Sequence, residues 1–310
     1  MITYIVIPVY FDTESAAEVV RDLAVAWAAG GQADDRIHIT IIDNTAGRDS
    51  SIFDLNDSPA GQTTVEVIRT PYQSGHQHAI LSGLASIEPY LGEGDVVVTM
   101  DGDGEDAPAD ALRLALRCSG DNGGPDLILA ERSRRHQTTS FRTGYLIYRA
   151  VYRALTGLNM RTGNFAAMTR RTVQEVLANP LFRVSYSGSL PTIPGAARLP
   201  CARAPRIAGQ SKMNTTGLIA HGLLTLIPQA PRIAARLFVL FFCALMLAVL
   251  GTATAIILRA STDITAPGWA TTIVLGAALV AGIAFLGFLC GLILLATLQV
   301  LKTPLSEKFA

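Results

Sequence analysis

The chain has 310 residues, half of them hydrophobic, a mean hydropathy of +0.35, and 25 basic residues balanced by 25 acidic ones. It is longer than one small domain and too apolar for an ordinary soluble one, and zero net charge leaves no basic excess for nucleic-acid phosphates, so no nucleic-acid partner is expected. Cys118, Cys201, Cys243 and Cys290 show no paired spacing, which argues against a disulfide framework and against a zinc site.

From the N-terminus, Ile2 to Val9 reads as a buried strand. No basic segment precedes it and Pro8 interrupts its short apolar run, so it makes a poor signal peptide. Ser15-Ala16-Ala17-Glu18 has capping-box spacing and opens a helical pattern through Ala29. Ile37 to Ile42, Val65 to Ile68, Val96 to Met100 and Leu127 to Ala130 are further short apolar runs, and helical patterns at His78 to Ser86 and Ala109 to Arg117 alternate with them. This alternation predicts an α/β, Rossmann-like, mostly parallel sheet covered on both faces. Such sheets bind ligands beyond the carboxyl ends of their strands, where Asp43 and Asp101 stand.

Beyond Arg132 the alternation weakens into a helix-like stretch, Thr143 to Leu155, then Gly163 to Met168, a helix from Thr172 to Ala178, and Pro/Gly-rich punctuation from Pro191 to Pro205. Met213 to Pro231 is apolar but broken by Gly217, Gly222 and Pro228, suited to a membrane surface or to a plain connector. Leu237 to Leu258 and Ile264 to Leu301 carry no charge, and each can supply the roughly 20 apolar residues that cross a bilayer. Arg232, Arg236, Lys302 and Lys308 flank the outer ends of this hairpin while the connector is nearly neutral, so the positive-inside rule places both chain ends in the cytoplasm. The expected organisation is a cytoplasmic catalytic domain over 1–212, a juxtamembrane segment over 213–231, two transmembrane helices within 232–301 (about 237–258 and 270–298) and a cytoplasmic tail over 302–310.

Asp101-Gly102-Asp103 follows directly on the apolar run that ends at Met100. Carboxylates one residue apart at a strand end can both turn toward one divalent ion, and Mg²⁺ or Mn²⁺ favours oxygen ligands completed by phosphate. The alternative is an Asp-Gly turn with a spare acid.

In order and spacing, Ile7-Pro8-Val9-Tyr10, Asp43-Asn44, Gly75 to Gly83, Met100-Asp101-Gly102-Asp103 with Glu105-Asp106-Ala107-Pro108, Leu155-Thr156-Gly157, Gly163-Asn164-Phe165 and Arg206 to Lys212 match one family. The chain resembles the family 2 glycosyltransferases of the GT-A fold, specifically the polyprenyl-phosphate sugar transferases that include dolichyl-phosphate mannose synthase. The resemblance implies inverting transfer of a sugar from a UDP- or GDP-linked donor to a membrane polyprenyl phosphate, at the cytoplasmic face of a cell inner membrane, by a homo-oligomer. It implies that Pro8, Tyr10, Glu14, Asp43, Gly75, Asp101 and Gly102 bind the nucleotide sugar, Asp43 at the base, and that Asp101 and Asp103 face the ribose and a Mg²⁺ or Mn²⁺ cofactor; the other reading of Asp43 is an Asx turn after its strand. Asp106 matches an acid of the family's Asp-Pro-Pro segment or caps the following helix. Arg132, Arg142, Arg149, Arg206, Ser211 and Lys212 fall in or near the acceptor-phosphate segments, whereas Arg134 and Arg135 are expected to be surface charges. Asn164 occupies the catalytic position where the family pattern carries an aspartate base, and an asparagine amide does not usefully accept a proton. His76 and His78 stand where lysine or small residues are common. Two other readings remain: a processive polysaccharide synthase, whose Gln-x-x-Arg-Trp element is missing around Trp27 and Trp269, and a catalytically impaired scaffold, which Asn164 favours.

Overall fold

The structure, a computed structural model, describes residues 1–31, 36–57, 62–118, 123–132, 139–159, 161–208, 215–261 and 268–302, with the side chains of 132, 139–145, 147, 215, 216, 218, 296 and 298–302 left aside. Two compact units emerge: Met1–Tyr145 with Met160–Pro228, and Leu146–Asn159 with Gln229–Ala310. The second half of one helix thus groups with the C-terminal hairpin, a division that the expected boundary near residue 212 does not contain.

The first unit is built on seven strands, β1 (Ile2–Val9), β2 (Arg36–Asp43), β3 (Thr63–Arg69), β4 (Val96–Thr99), β5 (Leu127–Arg132), β6 (Thr162–Thr169) and β7 (Ala197–Cys201), in the order β3-β2-β1-β4-β6-β5-β7. β6 runs antiparallel to both β4 and β5, and every other pairing is parallel. Continuous apolar strands are needed because both faces are covered. Ile5, Ile7, Val9, Ile39, Ile41 and Val98 point into one core with α1 (Thr13–Gly30) and α3 (Pro108–Arg117). Tyr4, Val6, Ile42, Val97 and Leu129 point into the other with α2 (His76–Ile87), α5 (Arg170–Ala178), α6 (Leu181–Val184) and α7 (Tyr186–Ser189), while α4 (Thr139–Thr156) links β5 to β6. The expected α/β, mostly parallel sheet is found.

Two local expectations need correction, and one unassigned segment finds its place. Asp12, not Ser15, precedes the first helix, and the Ser15 hydroxyl is buried without a hydrogen-bond partner among the described residues, so no capping box forms. The Pro191 to Pro205 punctuation contains β7, an edge strand whose Pro200 is tolerated there because an edge position leaves an N–H unneeded. Gly163 to Met168 belongs to β6, the reversed strand of the sheet.

α8 (Thr215–Leu224) closes the first unit, with Thr225 buried beside Gly188 and with Ile219 and Leu223 exposed on one side. In the second unit α9 (Ala230–Ser261) and α10 (Trp269–Lys302) pair as a hairpin: Phe241 stacks on Phe288 at 5.6 Å, Phe238 meets Phe288, and Gly291 lets α10 approach Ala234. Small residues at such a seam allow close helix packing in lipid. The stretches Ile219–Ser261 and Trp269–Leu295 are long and apolar enough to cross a membrane, and only 6% of the most apolar part of each is buried. That exposure disfavours two core helices of a soluble domain, which would be covered. The Arg236 guanidinium donates to the Ala154 carbonyl at 2.6 Å, satisfying the end of α4 within the same unit.

Candidate active site at the carboxyl edge of the sheet

Asp101 leaves β4 at the carboxyl edge, and the reversal of β6 brings that strand's start beside it. Asn164 consequently donates from Nδ2 to Asp101 Oδ1 at 3.4 Å, while its own Oδ1 is buried with no partner among the described residues. Asn164 is anchored through its backbone: Thr99 Oγ1 donates to its carbonyl at 2.6 Å and shares a 3.1 Å hydrogen bond with the Tyr186 hydroxyl. Burial pushes the Tyr186 phenol above its ordinary pKa, so it stays a neutral partner there.

The Asp101 to Asp106 loop is held from inside. Asp106 is buried and its Oδ2 accepts from the Asp101 N–H at 3.2 Å, whereas Ala107 precedes α3 without a side-chain cap; the helix-capping alternative for Asp106 is therefore not what forms. Asp103 Oδ1 accepts from the Glu105 N–H at 3.0 Å. Gly102 sits over β1, where a Cβ would come within 2.9 Å of Ile7, and Gly104 holds φ +81 under Ile207. Only glycine takes that backbone without strain.

His76, the first residue of α2, places Nε2 2.9 Å from Asp101 Oδ1. Partial desolvation by the surrounding loop works against its charge, although the side chain is 42% exposed, and the carboxylates of Asp101, Asp103 and Asp106 outweigh it and raise its pKa. Gly75 ahead of it takes φ +87, and Gln77 behind it accepts from the Tyr186 N–H at 2.8 Å and donates to Ser187 Oγ at 3.0 Å, which fixes the helix start against α7. His78 is exposed on the same turn.

Asp43 is fully buried at the end of β2: Oδ1 accepts from the Thr45 N–H at 2.8 Å and from Thr45 Oγ1 at 2.5 Å, and Oδ2 accepts from the Gly47 N–H at 3.0 Å. It forms the Asx turn weighed against a base-contacting role and shapes the loop beyond β2. Arg48 on that loop donates to Gln73 Oε1 at 3.1 Å and stands over the Phe11 ring at 5.6 Å, tying together three loops of the rim. Pro8 is buried in β1, Tyr10 is half-buried edge-on to Phe11, and Glu14 is exposed in the first turn of α1.

The basic residues divide. Arg206 is brought to the carboxylates, with Nη2 2.6 Å from Asp103 Oδ2 and Nη1 3.6 Å from Asp12 Oδ2. Arg203, which the sequence does not single out, pairs with Glu105, and burial lowers its pKa against the raising influence of Asp103 and Asp101. Arg149 lines a shallow depression in the second unit with Arg153 and Asn159. Of Arg132 at the end of β5 and Arg142 on α4 only the backbone is described, and Arg134, Arg135, Ser211 and Lys212 fall outside the described residues.

The donor set suits Mg²⁺ or Mn²⁺. Two hard carboxylates share one rigid turn, and no cluster of three or more ligating side chains occurs among the described residues. A cation that keeps most of its sites for phosphate and water needs one or two carboxylates, not a cage.

No protein-family model matches the chain. In sequence it is similar to an undecaprenyl-phosphate 4-deoxy-4-formamido-L-arabinose transferase from Enterobacter sp. (strain 638), 24% identical over 236 residues that cover 73% of this chain and 68% of the relative. Among solved structures it is similar to glucosyl-3-phosphoglycerate synthase from Mycobacterium tuberculosis in complex with Mg²⁺ and UDP, at 16% identity, 74% and 79% coverage and a TM-score of 0.47. A mannosyltransferase from Pyrobaculum calidifontis in complex with GDP-Man and Mn²⁺ shares 16% identity over 91% of this chain and 86% of its own, with a TM-score of 0.43.

Proposed function

We propose that the chain is a GT-A, family 2 glycosyltransferase that moves a sugar from a nucleotide diphosphate donor to the phosphate of a membrane polyprenol with inversion at the anomeric carbon. The observation that carries this reading is the pairing, in one chain, of a rigid two-carboxylate turn at the carboxyl edge of the sheet with two membrane-length helices. Sequence similarity to an undecaprenyl-phosphate sugar transferase supports the acceptor class.

An oxygen of the acceptor phosphate attacks the anomeric carbon, and the bond from that carbon to the nucleotide diphosphate breaks. Asp101 and Asp103 would hold a divalent ion, which would supply positive charge against the departing diphosphate. Asp106 keeps the Asp101 N–H engaged and so fixes the turn that presents both carboxylates. Asn164 acts as a positioning residue, since its amide donates to Asp101. No base is required of it, because a phosphate monoester with a second pKa near 6 is largely dianionic at neutral pH. Positioning and charge compensation then carry the reaction. Asp43 contributes by ordering the loop beyond β2 through its three accepted hydrogen bonds. Arg132, Arg142, Arg149, Ser211 and Lys212 are proposed to draw in the acceptor phosphate, for which guanidinium forks are suited. The basic flanks of the hairpin favour a cytoplasmic catalytic unit at an inner membrane, and family resemblance favours a homo-oligomer.

The test is incubation of the purified full-length protein with polyprenyl phosphate, Mn²⁺ and a panel of radiolabelled nucleotide sugars from pH 5 to 8. Label that enters the organic phase as a single-sugar, acid-labile lipid, at a rate rising through about pH 6, is the expected result. A growing polymer would point instead to a processive synthase, and no transfer from any donor to a scaffold.

A further inference from the structure

The segment Arg203–Ile207 is zipped along the carboxylate loop as a strap. Ala204 N–H donates to the Glu105 carbonyl at 3.0 Å, Ile207 N–H donates to the Asp103 carbonyl at 3.0 Å, and Arg203 bridges to Asp106 in antiparallel sense. Two ion pairs reinforce it, Arg203 with Glu105 and Arg206 with Asp103. The two arginines differ in what they cover. Arg203 makes its contact ion pair with Glu105, an acid outside the proposed chemistry, and attracts Asp103 and Asp101 besides, whereas Arg206 sets a guanidinium 2.6 Å from Oδ2 of a carboxylate assigned to the cation. A side-chain exposure of 23% for Arg206 and 12% for Asp103 leaves that contact only partly screened by water.

We infer that Arg206 and the divalent cation compete for Asp103, so that arrival of the cation displaces the guanidinium and makes it available to the anionic acceptor. This rests on the reading of Asp103 as a cation ligand. A guanidinium and a dication cannot share one carboxylate oxygen at contact distance without strong mutual repulsion. Displacement leaves Arg206 close to Asp12, whose Oδ2 is already 3.6 Å from Nη1, and in sequence it stands five and six residues ahead of Ser211 and Lys212. Arg206 thereby couples the two substrates. The cation binds first, the strap loosens, and a guanidinium that had covered a carboxylate is turned to phosphate. The coupling is reciprocal, so an occupied acceptor site also favours the cation.

Mn²⁺ titration of the full-length protein, followed by loss of the free-ion electron paramagnetic resonance signal without any nucleotide, tests the competition. Arg206→Gln is expected to bind Mn²⁺ about tenfold tighter than the natural protein, the scale of one charge-assisted contact removed. Arg203→Gln removes a charge that also attracts Asp103 and Asp101 but whose contact partner is Glu105, so it is expected to tighten binding by less, about threefold at most. In the natural protein, hydrogen exchange at the Ile207 amide is expected to quicken when Mn²⁺ binds. Unchanged or weaker binding by Arg206→Gln, equal tightening by both variants, or an Ile207 amide indifferent to Mn²⁺ would each overturn the competition. Asp103→Asn separates this from failure of the underlying reading: Mn²⁺ binding lost in that variant keeps Asp103 as the ligand, and binding retained in it removes both claims.

Discussion

Replacing Asn164 by aspartate restores the carboxylate of the family pattern and places a second negative charge against Asp101. The Asn164 Nδ2 to Asp101 Oδ1 distance is 3.4 Å. At an effective dielectric of about 20, two unit charges that far apart repel by about 5 kcal/mol. The Asp101 side chain is 15% exposed and Asn164 is half-buried, so water, side-chain rotation and proton uptake reduce the net loss to about 1–2 kcal/mol. For a unit of this size that lowers the melting temperature by about 3–6 °C. Mn²⁺ bound between the two acids should return most of it, and so should acid pH, where one of the pair takes a proton. The assay is thermal unfolding of Asn164→Asp with and without Mn²⁺ at pH 7 and pH 4.5, alongside sugar transfer, which should change by less than about tenfold if no base is needed there. An unchanged melting temperature would refute the Asn164–Asp101 contact. A gain in turnover of several orders of magnitude would refute the base-free mechanism and make the natural protein an impaired enzyme.

Gly104→Ala forces a side chain into a φ +81 backbone beneath Ile207, so the strap should loosen at a cost of about 1–3 kcal/mol, read as new proteolytic cleavage near residue 205. Burial pushes the thiols of Cys118 and Cys201 up to about 12, so in the folded protein both stay protonated at pH 8. A charged maleimide should therefore leave both unmodified in intact membranes, together with Cys243 and Cys290 in the hairpin, and label all four in detergent denaturant; rapid labelling of Cys118 in the native state would contradict its burial. Ser261→Cys, at the end of α9, should label from the outer side of sealed cells, and Glu18→Cys, exposed on α1, only after permeabilisation.

β1, β2 and β4 were legible because they are buried on both faces and so read as continuous apolar runs: Ile2–Val9 is found with the expected bounds, and β2 to β5 fall on the expected runs, although β3 at the edge is mostly half-exposed. β6 and β7 were not, for different reasons. β6 mixes Gly163, Asn164 and small alanines, a composition set by its place between two strands and by its approach to Asp101. β7 hides behind Pro200, which only an edge position accommodates. In the site, the Asp101 turn was visible because its two carboxylates are separated by a single glycine in sequence. The Arg206 contact to Asp103 and the Arg203 contact to Glu105 span about a hundred residues, and no local pattern encodes them. The Asp43 hydrogen bonds were local, and the Asx-turn reading anticipated them.

The central claim is cation-assisted sugar transfer to a lipid phosphate through Asp103, and transfer by the full-length protein with Mn²⁺, with excess EDTA, and as Asp103→Ala tests it most directly. The account predicts lipid-linked product with Mn²⁺ and its loss to background in the other two, with the variant still expressed and inserted in the membrane. Undiminished transfer in EDTA, or in Asp103→Ala, would contradict it.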